Sequence, residues 1–261
     1  MKTALITGAS SGIGREMAIL LSDKFDRVVL AARNEAKLNS LAKTITDKGC
    51  HAITIPIDLS SDGAASALCR QLDDSKIEID LLVNNAGSGL TGPFLSHDLE
   101  SDHQTINLNV IALTDLCRLI GSKMKNRGSG HILNVASTGA FQPGSFIAVY
   151  YASKAYVYSF SLALANELKD SGVKVSVLCP GATATNFSAS SGKADIPNAM
   201  SSTQVAQAAL RGIERDKTVI IPGIGNKLAV IFSKIMPDKT MAAIVRKIQQ
   251  KQYELYRSGR S

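Results

Sequence analysis

The sequence predicts an α/β fold: a doubly wound parallel sheet of about seven strands with helices on both faces, plus a C-terminal helical extension. Three observations carry that expectation. Short apolar runs recur along the chain and alternate with stretches of helical periodicity, a pattern that gives a parallel sheet covered on both sides. The first run ends in a glycine-rich turn that leads directly into a helical pattern. At 261 residues and 45% hydrophobic content, the chain is long enough to bury one large core.

Strands are expected near 2–7, 27–32, 52–57, 80–84, 131–136, 173–179 and 218–221. Lys2 to Thr7 is mostly apolar, as a buried parallel strand requires. Gly8, Gly12 and Gly14 follow, and then Met17, Ala18, Leu20 and Leu21 mark a helix. Glycines at such a turn let the backbone approach a pyrophosphate, and the free N–H groups of the helix N-terminus face its charge. The second strand ends in Ala31-Ala32-Arg33. An acidic residue there would bond the ribose 2′-hydroxyl of NAD, and Ala32 takes its place. Arg33, and Arg15 just after the third glycine, offer two guanidinium groups suited to a 2′-phosphate. The expected cofactor is therefore NADP(H), with NAD(H) as the lesser alternative.

Asn84-Asn85-Ala86-Gly87 follows the apolar run Leu81-Leu82-Val83, and Ser137 ends the run 131–136. Both fall where open α/β sheets place ligands, at strand C-terminal ends. Taken singly, each reads as an ordinary turn. Tyr150 and Lys154 form a stronger signal, because residues four apart share a helix face and the segment from Tyr150 to Leu168 reads as a helix. An ammonium nearby lowers a phenol's pKa from its usual value of about 10. A tyrosine so tuned can give or take the proton that accompanies hydride transfer to a carbonyl. Tyr151 points about 100° away around the helix and is not expected to take part.

With these motifs in this order, the chain resembles the short-chain dehydrogenase/reductase (SDR) family from Lys2 to about Pro222. The resemblance rests on Thr-Gly-x-x-x-Gly-x-Gly at Thr7 to Gly14, Asn-Asn-Ala-Gly at Asn84 to Gly87, Tyr-x-x-x-Lys at Tyr150 to Lys154, and Pro180-Gly181 followed by Thr185. It implies a Rossmann-like sheet in the order 3-2-1-4-5-6-7 and an NAD(P)-dependent oxidoreductase acting on a small carbonyl or alcohol. By that resemblance the catalytic set is Asn109, Ser137, Tyr150 and Lys154. Ser137 would orient the substrate oxygen, and Tyr150 would be the general acid/base. Lys154 would lower the Tyr150 pKa and bind the nicotinamide ribose, while Asn109 would hold a water that relays protons to Lys154. The cofactor would run along Gly8, Ser10, Ser11, Gly12, Ile13, Gly14 and Arg15. Beyond the turn it would meet Arg33, Asp58 and Leu59 near the adenine, then Asn84, Ala86 and Gly87. Pro180, Gly181, Thr183 and Thr185 would hold the carboxamide end. A homodimer or larger homo-oligomer is implied, built on long helices at about 102–127 and 150–170.

Beyond 1–222, expected as one catalytic domain, residues 223–261 form an extension. It carries eight basic and two acidic residues, a net +6 of the chain's +7. Leu228, Ile231, Phe232, Ile235 and Met236 repeat with helical spacing. Pro237 interrupts them, Asp238 is placed to cap a second helix, and Met241, Ile244, Val245, Ile248 and Leu255 form a second stripe. Such helices pack on their own domain or a partner subunit, or lie peripherally on an anionic membrane. Nucleic acid is not an expected partner, because no recognition motif accompanies the charge.

Cys50, Cys69, Cys117 and Cys179 show no metal or disulfide spacing and suit buried thiols in a reducing cytoplasm. The first strand begins almost at once, which leaves no room for a cleavable signal peptide, and no apolar run reaches the roughly 18 residues of a membrane span. The substrate pocket is expected between the loop after Asn84, residues 138–149 and residues 186–200. Leu90, Phe94, Phe141, Gln142, Phe146, Ile147, Phe187 and Met200 are candidate lining, mostly apolar, with 188–192 as a mobile flap. Two other classes of function remain open: a catalytically silent NADP(H)-binding redox sensor, and a membrane-surface enzyme or scaffold.

Overall fold

The computed structural model describes residues 1–185, 187–192 and 199–259. The first half runs β1 (Thr3–Thr7), α1 (Gly12–Ser22), β2 (Arg27–Ala32), α2 (Glu35–Thr46), β3 (His51–Pro56), α3 (Ala64–Asp74) and β4 (Leu81–Asn84). The second runs α4 (Leu99–Ile106), α5 (Ala112–Arg127), β5 (Gly130–Val135), α6 (Ala148–Glu167), β6 (Val173–Leu178), β7 (Thr183–Ala184), α7 (Phe187–Ser190), β8 (Met200–Ser201), α8 (Ser202–Glu214) and β9 (Val219–Ile220). Two further helices, α9 (Ile224–Ile235) and α10 (Asp238–Arg257), follow.

Seven strands make one sheet in the order β3-β2-β1-β4-β5-β6-β9, parallel throughout. This is the Rossmann-like order that was expected. Side chains alternate between its faces. Leu5 lies beside Val29 and Leu82 and packs with Leu68, Leu116 and Val157 of one helical layer. Ile6 lies beside Leu30 and Val83 and packs with Met17, Leu38 and Val205 of the other. Each such side chain stabilises the fold by about 1.5–3 kcal/mol through burial. The order reverses between β1 and β4, which opens a crevice at the C-terminal ends of those strands.

Several boundaries differ from the sequence expectation. The last strand is only Val219–Ile220. The helix expected from about 102 starts at Leu99 and is interrupted by a π-helical turn, Asn107–Ile111. A two-stranded ladder, Thr183 beside Met200 and Ala184 beside Ser201, has no apolar run to announce it. Asp238 does not cap α10: Pro237 holds that position, and Asp238 instead places its charge in the first helical turn.

The extension folds back over the domain. Met241 and Val245 of α10 pack on Ile147 and Tyr151. Gln249 Nε2 donates to the Tyr151 hydroxyl (3.1 Å), and Ser145 Oγ donates to the Ala242 carbonyl (3.3 Å). α9 is held by buried Val230 and by Ser233 Oγ donating to Gln142 Oε1 (3.2 Å). Of the first apolar stripe, Leu228, Ile231, Phe232 and Ile235 stay exposed, and in the second Ile244 and Ile248 do so. Arg260 lies outside the described residues. Among the described residues no helix is long and apolar enough to cross a membrane, and the four cysteines are free and buried.

Candidate active site

The turn after β1 is braced from β4. Gly8 takes φ +65°, the left-handed region that favours glycine. A side chain on Gly14 would collide with Asn85 Nδ2 and the Gly8 carbonyl. Asn85 donates from its backbone N to Thr7 Oγ1 (3.0 Å) and from Nδ2 to the Thr7 carbonyl (2.9 Å). Ser11, at the N-cap of α1, makes no side-chain cap bond, and the first turn holds no acid. The N–H groups of this helix end are therefore available to an anion.

From the turn a cleft of about 1100 Å³ runs across the C-terminal edge of the sheet. Gly8, Ser10, Ser11, Gly12 and Ile13 line it, as do Arg33, Asp58, Leu59, Ala86, Gly87, Ser137, Tyr150, Lys154, Pro180, Gly181, Thr183 and Thr185. Arg15 lines a smaller adjoining pocket with Lys37, Ser40 and Thr44, and pairs with Glu16 at 2.7 Å. Arg33 is 72% exposed and 3.8 Å from Asp58. Desolvation raises the Asp58 carboxyl, but two Ser60 hydrogen bonds and the Arg33 charge outweigh it and hold it below the usual range. Lys37, which lines both pockets, was not singled out in the sequence. Its signal was a third basic residue in the first turn of the helix that follows Arg33.

Asn84 departs from its expected place beside the cofactor. It is buried, and its Nδ2 donates to Asn134 Oδ1 (2.9 Å). Asn134 in turn donates to Ser161 Oγ (3.0 Å), which ties β4 and β5 to α6. Strand alternation turns Asn84 inward, so Asn85 lines the cleft instead.

Ser137 stands at the end of β5, where its Oγ accepts from the Gly139 N–H (3.0 Å). Tyr150 lies in the first turn of α6 with Lys154 one turn on. Lys154 is buried; its Nζ donates to the Val135 carbonyl (2.8 Å) and sits 5.7 Å from the Tyr150 ring centroid. Burial lowers the ammonium to about 8, with Cys179 pulling the other way. The Tyr150 phenol is not lowered as the sequence suggested. Burial pushes it up, a Ser137 hydrogen bond lowers it in part, and Tyr151 raises it further.

Asn109 falls inside the π-helical turn, a feature frequent at functional sites. Its Nδ2 donates to the Ser88 carbonyl (2.8 Å) and to Ser153 Oγ (2.9 Å), and its Oδ1 accepts from the Ser88 N–H (3.0 Å). Gly87 separates it from Lys154: a Cβ there would lie 3.1 Å from Asn109 Oδ1 and 3.2 Å from Lys154 Nζ.

The far end of the cleft corrects the expected substrate lining. Gln142 and Phe187 do line it, and Phe187 lies 5.0 Å from Tyr150 between ring centroids. Leu90 is half-buried outside it and Phe94 is exposed. Phe141 packs edge-on to Tyr158, Phe146 tilts against Tyr253, and Ile147 is buried under α10. Met200 packs in the core layer beneath. The extension supplies Phe232, Met241, Ile244, Val245 and Ile248 in their stead. Of the remaining wall, residues 186 and 193–198 lie outside the described residues. The expected flap begins in α7, and Ser191 is tied down by accepting the Thr91 N–H (2.8 Å). Among the described residues no cluster of acids, histidines or cysteines could hold a metal ion.

The glycine-rich turn after β1 and the Tyr150–Lys154 pair open into one cleft, and the chain spans less than two thirds of the length of the first curated relatives it matches. The chain belongs to the short chain dehydrogenase family, whose family model matches residues 2–195. It is 38% identical over 180 residues to ketoacyl reductase HetN of Nostoc sp., covering 69% of this chain and 63% of that relative's length. Its fold resembles a short-chain dehydrogenase from Sphingobium yanoikuyae solved in complex with NADPH: TM-score 0.82, 31% identity, 91% of this chain and 97% of that one. It also resembles the bulky-bulky ketone specific alcohol dehydrogenase of Comamonas testosteroni: TM-score 0.78, 30% identity, 90% and 95% coverage.

Proposed function

We propose that the protein is an NADP(H)-dependent reductase that interconverts a carbonyl and a secondary alcohol on a mostly apolar substrate. The observation that carries this reading is the convergence of Ser137, Tyr150 and Lys154 in a cleft that begins at the phosphate turn. Arg33, Arg15 and Lys37 support NADP(H) over NAD(H), since they place positive charge around the end of β2 where no acid stands. The similarity to a protein solved with NADPH points the same way. The apolar residues from α9 and α10 support a hydrophobic substrate, as does similarity to an enzyme specific for bulky ketones.

When bound, the nicotinamide would supply hydride to the carbonyl carbon or accept it from the alcohol. The chain's residues manage the proton and the position. Ser137 donates a hydrogen bond to the substrate oxygen. Tyr150, kept protonated by burial, is in the state that carbonyl reduction needs and donates to the developing alkoxide. Lys154, still mostly protonated at neutral pH, stabilises the phenolate left behind. Asn109 fixes the Ser88 loop and Ser153 beside Lys154, and so acts as a positioning residue. Self-association through the α5–α6 face fits exposed Ile111 and Tyr156, and light scattering tests it.

A fluorescence titration with NADPH and NADH, followed by a panel of carbonyls read as loss of reduced cofactor, tests the reading. Tight NADPH binding with oxidation by an apolar ketone or aldehyde is expected. Binding without any turnover would favour a redox sensor. Failure to bind either cofactor would refute the proposal.

A further inference from the structure

α9 turns an apolar face away from the protein. Ile224, Leu228, Ile231 and Ile235 are spaced four, three and four apart, so at about 100° per residue they share one narrow arc. They are 77%, 62%, 54% and 76% exposed. The opposite side of the helix anchors it. Val230 is buried, Asn226 Nδ2 donates to the Pro222 carbonyl (2.7 Å), and Ser233 bonds Gln142. The stripe is thus an outer face on a docked helix. Single exposed aliphatics are ordinary, but four in one row mark a contact surface.

Charge selects what covers it. From Lys217 to Pro237 the chain has no acidic residue, while Lys227 and Lys234 lie along one edge of the stripe, the Lys234 ammonium 5.2 Å from the Phe141 ring centroid. α10 adds Lys239, Arg246, Lys247, Lys251 and Arg257 against Asp238 and Glu254. A second copy of this face would bring lysine towards lysine with no carboxylate to pair them. An anionic surface meets the opposite charge. We propose that α9 lies in the surface of an anionic membrane, with its aliphatic stripe at the acyl boundary and its lysines among the headgroups. Phe232 stands next to the stripe and lines the cleft with Ile244 and Ile248. Docking therefore sets the mouth of the cleft against lipid, from which an apolar carbonyl enters. That entry route rests on the reductase reading; the docking does not.

The full chain is sedimented with phosphatidylcholine vesicles and with vesicles that also contain phosphatidylserine. Partition onto the anionic vesicles is expected to exceed the neutral ones by about tenfold or more and to fall with salt. Leu228→Ser with Ile231→Ser abolishes it, and Lys227→Glu with Lys234→Glu, which takes the extension from +6 to +2, weakens binding to the anionic vesicles and narrows the lipid preference. None of these four side chains lines the cleft, so cofactor affinity and turnover of a water-soluble carbonyl without vesicles stay at wild-type values and confirm the fold. No partition of the wild type onto either vesicle overturns the proposal. Light scattering that finds an oligomer split by Leu228→Ser and Ile231→Ser also overturns it, by giving the stripe to a second copy. Vesicle binding without cofactor binding supports docking while it removes the reductase.

Discussion

Replacing Lys154 with methionine should stabilise the cofactor-free protein at neutral pH and lose that advantage in base. Burial takes the Lys154 ammonium from 10.5 down to about 8. At 1.36 kcal/mol per pH unit that fall corresponds to ~3 kcal/mol against the charged form, as an order of magnitude. Between those two values the unfolded chain holds a proton that the folded chain has lost, so stability rises with pH across this window. Below about pH 8 the whole cost is present. Methionine keeps the apolar stem and removes the charge, but it leaves the Val135 carbonyl without its donor. An orphaned buried acceptor costs about 1–2 kcal/mol. The variant should therefore be more stable by about 1–2 kcal/mol at pH 7, and less stable by a similar amount above about pH 10. Urea unfolding followed by circular dichroism, at steps of pH, measures both. Parallel stability curves for wild type and variant would refute the argument, because they would mean that Lys154 is not desolvated by folding.

Three further changes probe the site. Tyr150→Phe should lower turnover by about 10²–10⁴-fold and leave NADPH affinity unchanged, and a variant of wild-type activity would remove the acid/base role. Arg33→Ala should weaken NADPH by about 1 kcal/mol, at the low end for a charged hydrogen bond because the side chain is 72% exposed. NADH should be little affected, and equal losses would end the case for a 2′-phosphate. Gly14→Ala forces a methyl group into Asn85 Nδ2 and the Gly8 carbonyl, so the melting temperature and cofactor affinity should fall together. A variant with normal melting and normal titration would show that the turn is not held by this contact.

The sheet was legible because its signal is local. The central parallel strands are mostly apolar runs buried on both faces, and β1, β4 and β5 stand out as such in the bare sequence. The glycine-rich turn and the Tyr150–Lys154 spacing were legible for the same reason, since a turn and a helix face are both short-range geometry. What escaped is long-range. Asn84 and Asn85 are adjacent and chemically identical, and only the register of β4 decides which one meets the cleft. The π-helical turn at Asn109 has no distinctive residue pattern. The true lining of the far cleft comes from helices some ninety residues beyond Tyr150, and periodicity could announce those helices without saying where they dock.

The two adjacent tyrosines of α6 divide the labour that such docking creates. Tyr150 faces Ser137 and Phe187 at the reacting end of the cleft. Tyr151 turns under α10, where Gly139 and Gly144 leave room for its ring and Gln249 donates to its hydroxyl. Tyr151, which the helix angle set apart from Tyr150, lines the cleft and is among the residues that fasten the extension over it. The roof of the cleft is thus attached one residue from Tyr150, on a helix tied to the sheet by buried bonds from Lys154 to Val135 and from Asn134 to Ser161. The sheet and α6 bring Ser137, Tyr150 and Lys154 together in the cleft. α9 and α10 close over that cleft, joined to the domain through Tyr151, Gln142 and Ser145.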